Sequence, residues 1–385
     1  MRLVVVGAGI VGSACAYAAS SLGAEVVLID AGWPGQATAA GAGIICPWTS
    51  GVDDPGGYAF SCAAARAYPA LVAELADLGE TDVSYRQSGA IVVADREDEL
   101  EPVLAGLEAQ RAGHPEMGDV RVVTGSEVQR LFPPLRPHMP AVYIPGAARV
   151  DGRKFRDALA RAACRKGATI RGGDAALVCR AGRAAGVLAE GELIEADAVV
   201  AATGAWTTAF VEPAGVVVRV TPQRGQIVHL SLGSTDTRHW PVVLPVGSGH
   251  YLLAFEGSRV VVGATREAGA GFDHRVTAAG LSEVLAEALI VAPGLGSATY
   301  LETRVGFRPA GPGGCPLLGP VPGVAGLFVA SGLGAEGLTM GPQAGGAAAR
   351  AALGLDPGLD LAPFDPLRRC RAAPAGCRAG EVPRR

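Results

Sequence analysis

Lysine is almost missing from this 385-residue chain, where Lys154 and Lys166 are the only two. The remaining basic residues are arginines, in keeping with a general Ala, Gly and Arg bias, so a single arginine needs positional support before it counts as part of a site. A surplus of basic charge is missing too. The net charge is -4 and the pI near 5.9, which argues against a nucleic-acid partner, since such proteins carry a strongly basic surface. No uninterrupted apolar run is long enough to cross a bilayer, and no charged leader with a cleavage site precedes the first strand. The expectation is a cytoplasmic protein without a transmembrane segment. Cysteine is present but unorganised: Cys15, Cys46, Cys62, Cys164, Cys179, Cys315, Cys370 and Cys377 form no C-x-x-C pair and no His/Cys cluster. Neither a metal site nor a disulfide scaffold is indicated.

Apolar residues (49%) and glycine (55 residues) are abundant. The length predicts two lobes, because single cores seldom grow past about 250 to 300 residues. Three glycine-bearing strand-turn-helix pieces stand out. In the first, the apolar run Leu3 to Val6 breaks at Gly7-Ala8-Gly9-Ile10-Val11-Gly12 and a small-residue helix follows. Gly7 permits the tight turn, Gly9 lets backbone approach a pyrophosphate, Gly12 allows close helix packing, and Asp30 at the end of the next strand can hold a ribose hydroxyl. A diphosphate there would be stabilised by free N–H groups and the helix dipole without a basic side chain. The next stretch, Gly35 to Ile45, is too rich in small residues to build a core. It suits a flavin ring lying across the sheet better than the regular βαβ continuation of a nicotinamide domain.

Farther along, helices are expected over about 60–79, 97–112, 153–166, 277–292 and 338–353, with Asp151 capping the third. The prolines between 133 and 145 make 132–148 a crossing between lobes. The second piece is the buried-type strand Ala198 to Ala202, which stops at Thr203-Gly204-Ala205-Trp206. Runs at 216–220, 226–232, 251–255 and 259–262 predict an antiparallel sheet. The third piece, Leu327 to Ala330, breaks at Ser331-Gly332-Leu333-Gly334-Ala335-Glu336-Gly337. The fold expected is α/β: a Rossmann-like FAD-binding domain (1–83, 146–215 and 300–362) interleaved with an α+β substrate domain on an antiparallel sheet (84–145 and 216–299). Residues 363–385, rich in arginine and proline, are expected to form a disordered tail.

In this order the pieces resemble the FAD-dependent D-amino-acid oxidase and glycine oxidase family, over residues 1 to about 355. The resemblance rests on Gly7-x-Gly9-x-x-Gly12 with Asp30, the small-residue run through Gly43, Ala201 to Trp206, and Gln223-Arg224-Gly225-Gln226. Tyr251 with Val262-Gly263-Ala264-Thr265, Gly306-Phe307-Arg308-Pro309, and Gly332 to Pro342 complete it. It implies noncovalent FAD held by Gly7, Gly9, Ile10, Val11, Gly12, Asp30 and Ala31, then Ala37, Thr38, Gly43 and Ile44. Ala202, Thr203, Gly204, Trp206 and Arg308 would add to it, with Gly332, Gly334, Ala335, Glu336, Gly337 and Leu338. It also implies that Arg308 pairs with a substrate carboxylate, for which a planar guanidinium is suited. Tyr251 either orients that carboxylate or packs as an ordinary tyrosine. Its neighbour His250 should face the other way along the strand.

Two departures bear on the substrate. The chain reads Pro312-Gly313-Gly314-Cys315 where many relatives carry an aspartate, and the loop at 333–336 lacks the histidine of glycine-oxidase-like members and a second arginine used by some relatives. Glu336 either attracts a substrate amine or faces solvent as a helix-start acid. The implied activity is oxidation of the Cα–N bond of a small amino acid or secondary amine (a D-amino acid, glycine, sarcosine or a D-proline-like compound). Hydride passes to flavin N5, the imine hydrolyses, and oxygen or another acceptor takes the electrons. The alternative is the flavin subunit of a hetero-oligomeric dehydrogenase that passes electrons to a partner; a homo-oligomer is left open.

Overall fold

The computed structural model describes residues 1–52 and 54–368. Leu3 and Val5 of the strand Arg2–Val6 enter one core while Val4 and Val6 enter another, and all four are buried. Neighbours on a strand face opposite ways, so a strand apolar at every position must be covered on both faces. It lies inside a six-stranded sheet ordered Leu317–Pro320, Leu327–Ser331, Ala198–Ala201, Arg2–Val6, Glu25–Asp30 and Thr169–Gly172. Only the first pair is antiparallel. Helices Ile10–Ser21, Gly152–Arg165 and Gly337–Ala352 cover one face. An antiparallel sheet of Ala175–Arg180, Arg183–Ala189 and Glu192–Glu195 covers the other.

Glycine sets the distance between the first and last of these helices. A Cβ on Gly345 would stand 2.3 Å from the Val11 carbonyl oxygen, and one on Gly341 would stand 2.7 Å from Ile10 Cγ2. The two helices therefore approach to backbone contact, and the first turn of the Ile10–Ser21 helix lies against Gly337–Ala352.

The second unit is an eight-stranded sheet ordered Thr299–Ala310, Thr221–Ser231, Arg259–Gly263, Tyr251–Phe255, Val242–Pro245, Ala90–Val93, Ala141–Ile144 and Arg121–Val123. It is antiparallel as expected except where Val242–Pro245 runs parallel to Ala90–Val93. Between those two strands the chain passes through Thr169–Gly172 and Ala198–Ala201 of the six-stranded sheet, so no hairpin dictates their direction. One face packs on the helix Ala278–Val291 through Val284, Ala288 and Val291.

Several boundaries differ from the sequence-based expectation. Val216 to Val220 is not a strand, because the Thr208 hydroxyl takes up its backbone groups, 2.7 Å from the Val218 carbonyl and 3.1 Å from the Val220 amide; the strand begins at Thr221. The stretch 132–148 is not a plain crossing, since Ala141–Ile144 inserts between Ala90–Val93 and Arg121–Val123. Residues 300–310, expected with the cofactor unit, run along Thr221–Ser231 in the eight-stranded sheet. The tail expected from 363 is anchored at its start: Phe364 is buried with its ring centroid 5.5 Å from that of Phe60. The rest of that tail, 369–385, lies outside the described residues. No helix among the described residues is long and apolar enough to cross a membrane.

Candidate active site

A cavity of about 1200 Å³ is lined from both sheets. At one end it meets the first glycine turn. Gly7 has φ +99°, a Cβ there would stand 2.4 Å from the Ala202 carbonyl oxygen, and a Cβ on Gly12 would stand 1.7 Å from the Gly7 carbonyl oxygen. The turn closes only because both positions lack a side chain. Gly9 brings no capping side chain to the helix start, and the Ile10 amide donates to Thr38 Oγ1 at 3.0 Å. The amides of Val11 and Gly12 have no side-chain cap among the described residues, which leaves the helix start open to an anion. Asp30 accepts from the amides of Ala8 and Gly32, both at 2.6 Å, and from Gln36 Nε2 at 2.8 Å. A carboxylate offers about four acceptor sites, so these donors fix Asp30 and leave room for a hydroxyl.

Gly7, Gly9, Ile10, Val11, Asp30 and Ala31 line the cavity, while Gly12 packs behind it. Ala37, Thr38, Gly43 and Ile44 form the next wall, and Ala37–Ala40 there is a short helix rather than the bare extended run expected. Part of the demand for small residues comes from the protein itself. A Cβ on Gly43 would stand 1.8 Å from the Val150 carbonyl oxygen, and one on Gly41 would stand 2.6 Å from Leu338 Cδ1.

The other two turns complete this end. Ala202, Thr203, Gly204 and Trp206 line it from the second, and Gly334, Ala335, Glu336, Gly337 and Leu338 from the third. A Cβ at Gly204, Gly334 or Gly337 would meet no protein atom within 4 Å, so these positions leave open space for a ligand. Gly332 stands off the cavity, turning the chain at φ +75° against Leu317. Among the described lining residues the only arginines or lysines are Arg266 and Arg308, neither of them on the glycine turns. A dinucleotide phosphate would rest on amides and helix ends, and in that respect the residues present fit FAD.

The opposite end is made by side chains. Strand pairing sets Gln223 opposite Arg308 and Gly225 opposite Gly306. A Cβ on Gly225 would stand 2.5 Å from Arg308 Nη1, so glycine leaves the space that the guanidinium fills. Arg308 Nη1 donates to the Thr265 carbonyl at 3.0 Å. Burial pushes the Arg308 pKa down, opposed by the neighbouring Tyr251; burial pushes the Tyr251 hydroxyl up, opposed by Arg308. The sequence places both residues in one site, and the structure sets them side by side on the cavity wall.

Arg308 is also tied to the cofactor end. Its neighbour Phe307 donates its amide to the Gly35 carbonyl at 2.9 Å, and Ala310 bridges to Leu333 on the third turn. The strand that carries the guanidinium is thereby indexed to both cofactor segments.

Two further residues, His250 and Glu336, lie where the simplest expectation does not put them. His250 lines the cavity beside Tyr251, with Nε2 3.5 Å from Glu283. Glu336 turns into the cavity wall rather than to solvent; its Oε2 lies 3.3 Å from Ser61 Oγ, and burial pushes its carboxyl up. Cys46 is buried at the wall with its thiol pushed up to about 12, chiefly by burial, whereas Cys315 does not line the cavity. Arg266 was not among the expected site residues. It follows the Val262-Gly263-Ala264-Thr265 segment, whose proximity to Arg308 was the signal that could have found it.

The fold and cavity define a flavin-nucleotide-dependent oxidoreductase. The FAD dependent oxidoreductase family matches residues 2–351, and the chain belongs to that family. It is 44% identical to the oxidoreductase YurR of Bacillus subtilis (strain 168) over 94% of this chain and 98% of that one. The crystal structure of iminodiacetate oxidase (IdaA) from Chelativorans sp. BNC1 superposes with a TM-score of 0.92 at 46% identity, covering 95% of this chain and 99% of that chain. Glycine oxidase from Geobacillus kaustophilus gives a TM-score of 0.84 at 27% identity, covering 96% and 100%.

Proposed function

We propose that this enzyme oxidises the Cα–N bond of a small amino acid or secondary amine bearing a carboxylate. The observation that carries this is the half-buried Arg308 guanidinium beside the Tyr251 hydroxyl, in the same cavity as the three glycine turns. The likeness to iminodiacetate and glycine oxidases supports an amine with a carboxylate on the adjacent carbon. When bound, FAD supplies a two-electron acceptor for hydride.

The chain's own residues provide orientation. Arg308 can offer paired N–H donors to the substrate carboxylate, and Tyr251 one more, which fixes the Cα relative to the rest of the cavity. The Cα–H bond breaks with its electron pair leaving as hydride, the nitrogen lone pair closes a C=N bond, and the nitrogen releases its proton. Water then adds to the imine and splits it into a carbonyl compound and an amine. No protein base is required, provided the amine enters unprotonated. The amides of the 334–338 turn would stabilise negative charge on the reduced cofactor.

Anaerobic mixing of the purified holoenzyme with glycine, sarcosine, iminodiacetate and a panel of D-amino acids tests this directly. At least one of these amines should bleach the flavin. Replacing Arg308 by Ala should raise KM for it about 100-fold, the loss expected for a charged hydrogen-bonded pair, while the flavin stays bound. Unchanged kinetics would reject the carboxylate assignment.

A further inference from the structure

Arg266 is exposed on the cavity wall and has no carboxylate within ion-pair distance among the described residues. Most arginines of the substrate sheet are spent on partners. Arg224 holds Glu267 at 2.5 Å and Asp273 at 2.9 Å, Arg259 holds Asp151 at 2.7 Å, and Arg304 holds Glu302 at 2.5 Å. The acid next in sequence to Arg266 is therefore already engaged: Glu267 also accepts from Gln226 Nε2 at 2.8 Å and Thr265 Oγ1 at 2.7 Å. Glu283 and Glu287 lie against His250, 3.5 and 4.0 Å from its ring nitrogens. Among the described residues the only hydrogen bond of the Arg266 guanidinium is a long one, Nη2 to the Gly249 carbonyl at 3.4 Å.

Its position is nonetheless defined. The carbonyl of Thr265, the residue before it, anchors Arg308, and Thr265 Oγ1 accepts from the Gln226 amide at 2.9 Å. The turn is clamped from behind by Arg224. Two guanidiniums thus share one cavity, one half-buried with an N–H on the Thr265 carbonyl, the other exposed and without an ion-pair partner among the described residues. A single carboxylate needs only the first.

We propose that Arg266 receives a second carboxylate of the substrate, so that the preferred substrates are secondary amines carrying a carboxylate on each arm, N-carboxyalkyl amino acids. This rests on the carboxylate-amine function proposed above. It assigns the specificity to Arg266: the carboxylate on the oxidised carbon goes to Arg308, and the far one to Arg266. A guanidinium at the mouth also attracts a dianion more strongly than a monoanion before docking.

The experiment uses holoenzyme and two unreactive ethers, oxydiacetate with two carboxylates and methoxyacetate with one, titrated by the perturbation of the flavin spectrum. In the wild type oxydiacetate should bind about 100-fold tighter, the gain expected for one charge-assisted pair. In R266Q that ratio should fall to near one, and R266K should restore part of it. A wild-type ratio near one, or an R266Q ratio equal to the wild-type ratio, overturns the proposal while sarcosine or glycine still bleaches the flavin. If no amine bleaches the wild-type flavin, the underlying function fails, and this proposal with it.

Discussion

At the nucleotide end of the cavity Gly7, Gly12 and Gly43 act by having no side chain, and backbone of the same or another segment fills the space where a Cβ would be. At the other end the proposed substrate residues Arg308, Tyr251 and Arg266 would act through side chains whose places are set by strand register and by neighbours such as Gly225 and Thr265. The first end tolerates almost no change and has little chemical choice. The second is adjustable, because a side chain can be exchanged while its strand stays in place. On the function proposed above, family membership is written in one end and substrate choice in the other.

The sharpest way to break this contrast is Gly12→Ala. The added methyl would stand 1.7 Å from the Gly7 carbonyl oxygen, so backbone must move. Overpacking of this kind costs about 1–3 kcal/mol or more and falls on the surface that receives the phosphates, so flavin content should drop about tenfold or more. The ratio of flavin to protein absorbance after purification measures it. A fully yellow Gly12→Ala protein would mean that the turn is not shaped by backbone contact.

A smaller effect is expected at the adjustable end. Gly225→Ala places a methyl 2.5 Å from Arg308 Nη1, a contact with the tip of a long side chain that can swing away. Flavin content should stay at the wild-type level while KM for carboxylate substrates rises about tenfold, the equivalent of about 1.4 kcal/mol. Loss of flavin in this variant would show that the two ends are not separable.

This division also explains what could be read from the sequence. The glycine turns were legible because a positive φ or a backbone contact leaves glycine as nearly the only choice, and because the turn sits between a strand and a helix at fixed spacing. Arg308 was legible through the family resemblance, but not from its surroundings in sequence, since Gly225 and Thr265 that place it are distant in the chain. Arg266 escaped because it stands just outside a matched segment in a chain where arginine is common. The parallel pairing of Val242–Pro245 with Ala90–Val93 escaped because it depends on how the chain returns from the cofactor sheet. Glu336 was seen as a candidate, but whether it faced inward hung on Ser61, on the distant helix Pro55–Asp77.

At the seam between the ends the expected effect falls on stability rather than on flavin or substrate binding, and His229 tests whether a buried group outside both acts through stability alone. His229 lies on Thr221–Ser231 and faces a space large enough for about one water, walled by Thr38, Gly41 and Ala42 of the cofactor segment and by Arg153, Arg259 and Arg304. Neither ring nitrogen has a partner among the described residues, and burial first, then Arg304 and Arg259, hold its pKa down at about 3. The unfolded chain takes up that proton near pH 6.5. Between those two values the unfolded state binds a proton that the folded state refuses, so stability falls as pH falls, by about 1.4 kcal/mol per unit. His229→Leu removes this slope. From pH 7.5 to 5.0 the stability of the variant relative to wild type should therefore shift by about 2 kcal/mol in the variant's favour, measured by urea unfolding of the holoenzyme at each pH. Parallel pH profiles for the two proteins would show that the imidazole is not held neutral at the seam.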